Sequence, residues 1–303
     1  MPPEVEMMTG YLAADGFLGD VARELGEAVG KTHGRLVIAD GPERPAAFAA
    51  NLWRNPQKIE IASIGDAVKK LKAIQRNWAL YPYEHQGRAR LIHEQLPKVS
   101  AKPLRFGDPA PKAPLGSFTL LEPGLMLASA DCSSPFSNGE IAFVEDREGP
   151  PSRAYLKLWE VFTRLGVRPL PGDLCLDLGS APGGWTYVLA KLDAVVTSVD
   201  KAELDPRVLA LPGVTHLRQS AFGLDPRHAE PVDWLFSDVI CYPERMLRLV
   251  TQWLEAGKAR RFVITLKFQG DTDFATVRAF RAIPGGKVMH LHNNKHELTF
   301  AKL

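Results

Sequence analysis

Asp177-Leu178-Gly179-Ser180-Ala181-Pro182-Gly183-Gly184-Trp185 decides the fold of this 303-residue chain. It follows the apolar run Leu174-Cys175-Leu176 and leads into Thr186-Tyr187-Val188-Leu189-Ala190, so it reads as strand, glycine-rich turn and helix in succession. Gly179, Gly183 and Gly184 permit unusual backbone angles and leave room for a ligand to approach the main chain. A helix opening near Trp185 offers unpaired N–H groups to a carboxylate. Asp200 ends the next apolar run, a place from which an acid can accept both hydroxyls of a ribose. The dinucleotide fingerprint G-x-G-x-x-G is absent, because the glycines fall at 179, 183 and 184. The candidate cofactor contacts are Asp177, Gly179, Ser180, Pro182, Gly183, Gly184, Trp185 and Asp200, with Ala221 and Asp238 further along.

From residue 153 onward, short apolar strands alternate with helices. The helix AYLKLWEVFTRLG precedes LCLDLG. The strands AVVTSVD, VTHLR, WLFSDV and RFVITLKF follow, with the helices ERMLRLVTQWLEAG and TDFATVRAF around the last of them. Such alternation predicts a parallel sheet with helices on both faces. The closing pair, KVMHLHN and HELTFAKL, is joined by Asn293-Asn294-Lys295, too short a link for anything but antiparallel pairing. The expected class is α/β, a Rossmann-like methyltransferase domain with a smaller N-terminal α+β domain.

Glu148-Gly149-Pro150-Pro151-Ser152 marks the expected boundary, giving domains 1–150 and 151–303. In the first, MTGYLAADG, RLVIAD and KIEIAS read as strands, and FLGDVARELGEAV and GDAVKKLKAIQ as helices. The β-α-β-β-α order suggests a ferredoxin-like arrangement. Pro97, Pro103, Pro109, Pro111 and Pro114 mark a connecting segment, and FTLLEPGLMLASADC looks like two strands around Glu122-Pro123-Gly124.

The composition, 45% hydrophobic and 24% charged, is that of an ordinary globular protein. No apolar run approaches the roughly 20 residues of a membrane span, and MPPEVEMMTG lacks a signal-peptide pattern. Cys132, Cys175 and Cys241 lie far apart, which argues against disulfides or structural zinc and for a reduced, cytoplasmic setting. The net charge of +2 names no partner. Residues 66–105, however, hold Lys69, Lys70, Lys72, Arg76, Arg88, Arg90, Lys98, Lys102 and Arg105 against Asp66, Glu84 and Glu94. That excess could follow an RNA backbone, and a solvated helix face is the competing reading.

Four charged residues fall where a parallel sheet can gather them. Lys157 lies in the helix before the first strand, Asp238 and Lys267 end strands, and Glu297 opens the last one. Each alone has an unremarkable explanation as a cap or a solvated charge. Together they suit deprotonation of a hydroxyl, since a neutral amine can accept a proton from a poor nucleophile if a nearby positive charge or desolvation lowers its pKa. Lys267 is the candidate base, Lys157 the nearby charge, and Asp238 and Glu297 the orienting acids. His290, His292 and His296 do not complete a metal set, so no metal is expected. Trp185, Phe268 and Tyr242 could stack on a nucleobase, with core packing at least as good a reading for each.

The string DLGSAPGGW resembles the first motif of the FtsJ-like RNA ribose 2′-O-methyltransferases. Lys157, Asp238, Lys267 and Glu297 resemble that family's Lys-Asp-Lys-Glu tetrad in chain order. The flanking Pro151-Ser152-Arg153, Leu156-Lys157-Leu158, Ser237-Asp238 and Thr265-Leu266-Lys267 resemble that family too, and the PSR…LKL segment together with Ser134-Pro135-Phe136 is most similar to the bacterial large-subunit rRNA cytidine 2′-O-methyltransferases. The resemblance covers residues 134–303. It implies S-adenosyl-L-methionine as cofactor and RNA, in particular rRNA, as substrate. Two departures stand out. Where many relatives carry an Asp that contacts adenine, this chain has Arg218-Gln219-Ser220-Ala221-Phe222, which leaves the Ala221 N–H for that contact. The relatives also carry a THUMP RNA-binding domain within a longer N-terminal half, so their RNA docking does not carry over. A base or small-molecule methyltransferase on the same fold, or a non-catalytic RNA-binding protein that keeps the cofactor, remain the alternatives.

Overall fold

A computed structural model describes residues 7–303. The chain divides into two compact units. One takes residues up to Arg105 together with Pro109–Ala142, and the other takes Phe106–Asp108 together with Phe143–Leu303. The second unit thus begins at Phe143, ahead of the expected boundary at 151. Aromatic packing accounts for the difference. Phe106 stacks on Trp159 at 4.9 Å between ring centroids, and Phe143 meets the same indole edge-on at 5.7 Å.

The first unit runs β1 (Met8–Ala13), α1 (Leu18–Leu25), β2 (Val29–His33), β3 (Leu36–Asp40), β4 (Ala49–Arg54), β5 (Gln57–Glu60), α2 (Ile64–Ile74), β6 (Trp78–Leu80), α3 (Gln86–Glu94), β7 (Gly116–Glu122), β8 (Leu125–Ser129) and β9 (Asp131–Cys132). It holds two sheets rather than one. The order β2-β3-β1-β4-β9 forms an antiparallel sheet, and β5-β8-β7-β6 forms a second in which only β6 and β7 run parallel. The helix expected to complete a ferredoxin-like β-α-β-β-α unit is α2, and it belongs to the second sheet. Ala67, Val68 and Leu71 of α2, with Ala89 and Ile92 of α3, bury against Phe118, Leu120, Met126 and Ala128. The Trp78 indole donates to the Leu71 carbonyl at 3.0 Å and fixes the end of α2 to that layer. Three strands escape the pattern reading, the shortest being the three-residue β6. β2 is mostly exposed and lacks apolar alternation, and β4 buries Asn51 beside Trp53.

The second unit runs α4 (Tyr155–Leu165), β10 (Leu174–Leu178), α5 (Gly184–Ala190), β11 (Val195–Asp200), α6 (Pro206–Leu209), β12 (Val214–Arg218), β13 (Val232–Ser237), α7 (Pro243–Glu255), β14 (Ala259–Lys267), α8 (Phe274–Ala282), β15 (Gly286–Met289) and β16 (Glu297–Lys302). Its seven-stranded sheet has the order β12-β11-β10-β13-β14-β16-β15. The first five strands are parallel, and β16 is antiparallel to both neighbours. This is the Rossmann-like methyltransferase arrangement. Strand order reverses between β10 and β13, which opens a crevice at their carboxyl ends. Phe162, Trp234 and Phe236 fill the core beneath it. Among the described residues, no helix is long and apolar enough to cross a membrane.

Candidate active site

The turn after β10 is shaped by two glycines. Gly179 has φ +75°, and a Cβ there would lie 2.6 Å from Val239 Cβ, so only glycine lets the turn lie against the loop that follows β13. Gly183 has φ +113° and comes close to Leu204 and Val208. Asp200 fixes the turn from the neighbouring strand. One of its carboxylate oxygens accepts from the Ala181 N–H at 3.0 Å, the other from the Ala202 N–H at 2.9 Å. The Ser237 hydroxyl donates to the Leu178 carbonyl at 2.9 Å, joining the ends of β10 and β13 just before Asp238.

A cavity of about 370 Å³ lies over these strand ends, within the size range of small-molecule sites. Asp177, Gly179, Ser180, Pro182, Gly184, Trp185, Asp200, Asp238 and Lys267 line it. Gly183 does not, and its place is in shaping the turn. A second cavity of about 240 Å³ shares Gly179, Asp200 and Val239 with the first and continues to Ser220, Ala221, Phe222 and Arg245. The Arg245 guanidinium lies over the Phe222 ring at 3.8 Å from its centroid and forms one wall.

The four charged residues meet at the carboxyl edge. Lys157 Nζ is 3.1 Å from Asp238 Oδ1 and 2.6 Å from Glu297 Oε1, and Lys267 Nζ is 3.1 Å from Asp238 Oδ1. The antiparallel β16 brings Glu297 there, because a strand-opening residue reaches this edge only if its strand runs against the others. Glu297 pairs in register with Lys267. Burial pulls the Lys157 ammonium toward losing its proton, but the Asp238 and Glu297 carboxylates outweigh it, and its pKa ends above the ordinary lysine value. Lys157 therefore stays charged. Among the described residues, Lys267 is ion-paired with one carboxylate, that of Asp238, and it lines the cavity.

Asp177 sits beneath the cavity with its carboxylate buried. Burial pushes its pKa up to about 7 against the hydrogen bond it accepts from the Thr186 hydroxyl at 2.7 Å, and the charges of Asp238 and Asp200 add to the rise. Trp185 is 3% exposed, donates its indole N–H to the Ala154 carbonyl at 2.9 Å and packs edge-on against Phe236. It is a packing residue at the cavity wall, and like the buried Phe268 it has no free face for a base. Tyr242 is exposed. His290 is buried, its pKa lowered to about 4 chiefly by burial, and its Nε2 lies 3.1 Å from the Lys295 carbonyl. Among the described residues, no group of three His, Cys, Asp or Glu could hold a metal.

Three contributors were not visible in the sequence pattern. Ser152 lines the first cavity and Arg245 the second. Glu160, fully buried on α4, accepts from Arg164 Nε at 2.7 Å and from the His292 N–H at 2.8 Å. Helix α4 therefore grips the last hairpin at two points, with Glu160 on its turn and Lys157 on Glu297. The flanking words PSR, and the helical spacing of Lys157 and Glu160, are the only sequence traces of these roles.

The fold, the glycine turn and the four-residue cluster define a Rossmann-like methyltransferase domain. Residues 150–268 match the FtsJ-like methyltransferase family model. The chain is similar to proteins named ribosomal RNA large subunit methyltransferase M. That of Halorhodospira halophila is 44% identical over 131 residues, which are 42% of this chain and 38% of that protein. That of Methylococcus capsulatus is 36% identical over 198 residues, 64% of this chain and 55% of that one. The chain thus spans about half or less of the length of these relatives. Among solved structures, a putative hemolysin from Lactococcus lactis aligns with a TM-score of 0.40 at 17% identity, covering 51% of this chain and 89% of that one.

Proposed function

We propose that the chain methylates a ribose 2′-hydroxyl of RNA, with large-subunit rRNA as its substrate and S-adenosylmethionine as methyl donor. Such a substrate would place it on ribosomes or their precursors in the cytoplasm. The observation that carries this reading is the meeting of Lys157, Asp238, Lys267 and Glu297 beside the turn at 179–185. The names of the relatives support the choice of rRNA.

The residues present fit the cofactor. The two joined cavities have Asp200 between them, an acid whose carboxylate remains available to ribose hydroxyls from its unused lone pairs. Ser152, Ser180 and the turn Ala181–Gly184 would hold the amino-acid end, Asp200 the ribose, and Ala221, Phe222 and Arg245 the base. S-adenosylmethionine, when bound, supplies an electrophilic methyl carbon on a sulfonium. Lys267, in its neutral amine form, takes the proton from the 2′-hydroxyl as that oxygen attacks and becomes an ammonium. Asp238 orients Lys267 and balances the charge that Lys267 gains on taking the proton, and Lys157 keeps Asp238 and Glu297 together without repulsion. The rigid edge of the sheet holds these groups for in-line attack, so positioning does much of the remaining work.

The test is to incubate the protein with methyl-labelled cofactor and unmodified rRNA, then digest with alkali. Ribose methylation protects the next phosphodiester, so the label should appear in dinucleotides. Label in mononucleotides would mean base methylation, and cofactor binding without transfer would mean a non-catalytic protein. Arg245→Ala should weaken binding of S-adenosylhomocysteine severalfold in calorimetry, because Phe222 loses the cation that covers it.

The first unit supplies a surface for the RNA backbone. Lys69, Lys72, Arg76, Arg90, Lys98, Lys102 and Arg105 are exposed. Lys70 is engaged with Asp66 at 2.9 Å and with the Glu60 carbonyl at 2.7 Å, and Arg88 is half-buried. Replacing Lys69, Lys72 and Arg90 together by alanine should weaken RNA binding and lower the log–log salt slope by about 2, three single-strand phosphate contacts at roughly 0.7 each. An unchanged slope in filter binding would return these residues to a solvated face.

A further inference from the structure

We propose that Ile240 and Tyr242 form the resting surface for the base of the nucleotide being methylated, so that the target is unpaired or drawn out of its stack. The inference rests on the ribose-methyltransferase reading. The loop after Asp238 alternates in direction. Val239 packs on Gly179, and Cys241 and Pro243 are buried. Ile240 and Tyr242 point outward, 74% and 63% exposed, and Ile240 is the most exposed large apolar side chain among the described residues.

The loop is anchored at both ends. The Val239 N–H reaches the Ser237 hydroxyl at 3.5 Å, and the Tyr242 carbonyl accepts from the Arg245 and Met246 N–H groups at the start of α7. Two apolar side chains are thus held in water on a fixed backbone, beginning two residues from Asp238. Single exposed apolar residues need no explanation, but a pair beside a reaction centre marks a contact surface. Ile240 lines the same cavity as Asp238 and Lys267.

The chemistry selects the occupant. A nucleotide whose 2′-hydroxyl sits at Lys267 Nζ carries its base one glycosidic bond away, within reach of this loop. Ile240 lines the cavity it shares with the turn at 179–185, and Tyr242 lies outside that lining, so the loop leads from the cofactor cavity to the surface. A flat aromatic face and a branched aliphatic surface suit a base of any sequence. A base stacked inside a helix cannot reach them, which is why the target must be unpaired.

The test uses the full chain with unmodified rRNA and the alkali-resistant dinucleotide as readout, alongside S-adenosylhomocysteine calorimetry and thermal melting. Tyr242→Ala should lower kcat/KM for RNA on the order of ten- to a hundredfold, with cofactor affinity and melting temperature unchanged. Tyr242→Phe and Tyr242→Trp, which keep the ring, should recover most of that loss, and Ile240→Ser should show a smaller decrease. An unaltered kcat/KM in Tyr242→Ala, or a Tyr242→Phe variant as impaired as the alanine one, would overturn the proposal while leaving ribose methylation intact. A wild-type protein that forms no resistant dinucleotide would remove the underlying reading and this inference with it.

Discussion

Lys267→Ala should lower methyl transfer by about two to four orders of magnitude, the range for a general base, while S-adenosylhomocysteine binds nearly as before. The side chain reaches the cavity and is paired with Asp238, so its removal leaves the turn at 179–185 and the Asp200 contacts in place. Lys267→Arg sharpens the result. It can keep an ion pair with Asp238 but cannot give up its proton, so it should be as inactive as alanine. Lys157→Ala should behave differently. It leaves the buried Glu297 and the half-buried Asp238 carboxylates with less compensation, so rate and melting temperature should fall together. Single-turnover assays and thermal melts on the three variants separate the roles. Retained turnover in Lys267→Ala would exclude it as the base.

A second large effect is expected at Asp177, read through pH. An unfolded aspartate titrates near 3.9, whereas burial raises the native group to about 7. Between those values the native state holds the proton more tightly than the unfolded chain does. Stability therefore falls as pH rises from about 4 to about 7 and levels off above. Asp177→Asn keeps an acceptor for the Thr186 hydroxyl and removes the titration. The variant should gain on the wild type with rising pH, by a few kcal/mol between pH 5 and pH 8, as measured by calorimetry without ligand. A constant difference across that range would show that Asp177 does not titrate with folding.

The second unit was legible because its signals are local. The strand, the glycine turn and the helix at 174–190 are contiguous, and Asp238 and Lys267 end apolar runs that can only be strands. Glu297 could be placed because the short link at 293–295 forces the last strand to run backwards. Arg245 was not legible, since its role depends on the Phe222 ring, which the loop after β12 brings to the start of α7. Exposure was equally hidden. Trp185 and Tyr242 look alike as aromatic residues beside glycine-rich or polar turns near strand ends, and only packing distinguishes a core indole from a solvent-facing ring. The first unit was harder still. β5 finds its partner β8 more than sixty residues later, and β2 carries no alternation that would announce a strand.

The reversed direction of β16 has a consequence for biosynthesis. Lys157, Asp238 and Lys267 leave the ribosome before the strand that carries Glu297, so a nascent chain at that stage has both lysines but one acid. The centre reaches electrical balance only when β16 inserts between β14 and β15. A chain halted before residue 297 would therefore carry Lys157, Asp238 and Lys267 without the acid that pairs with Lys157.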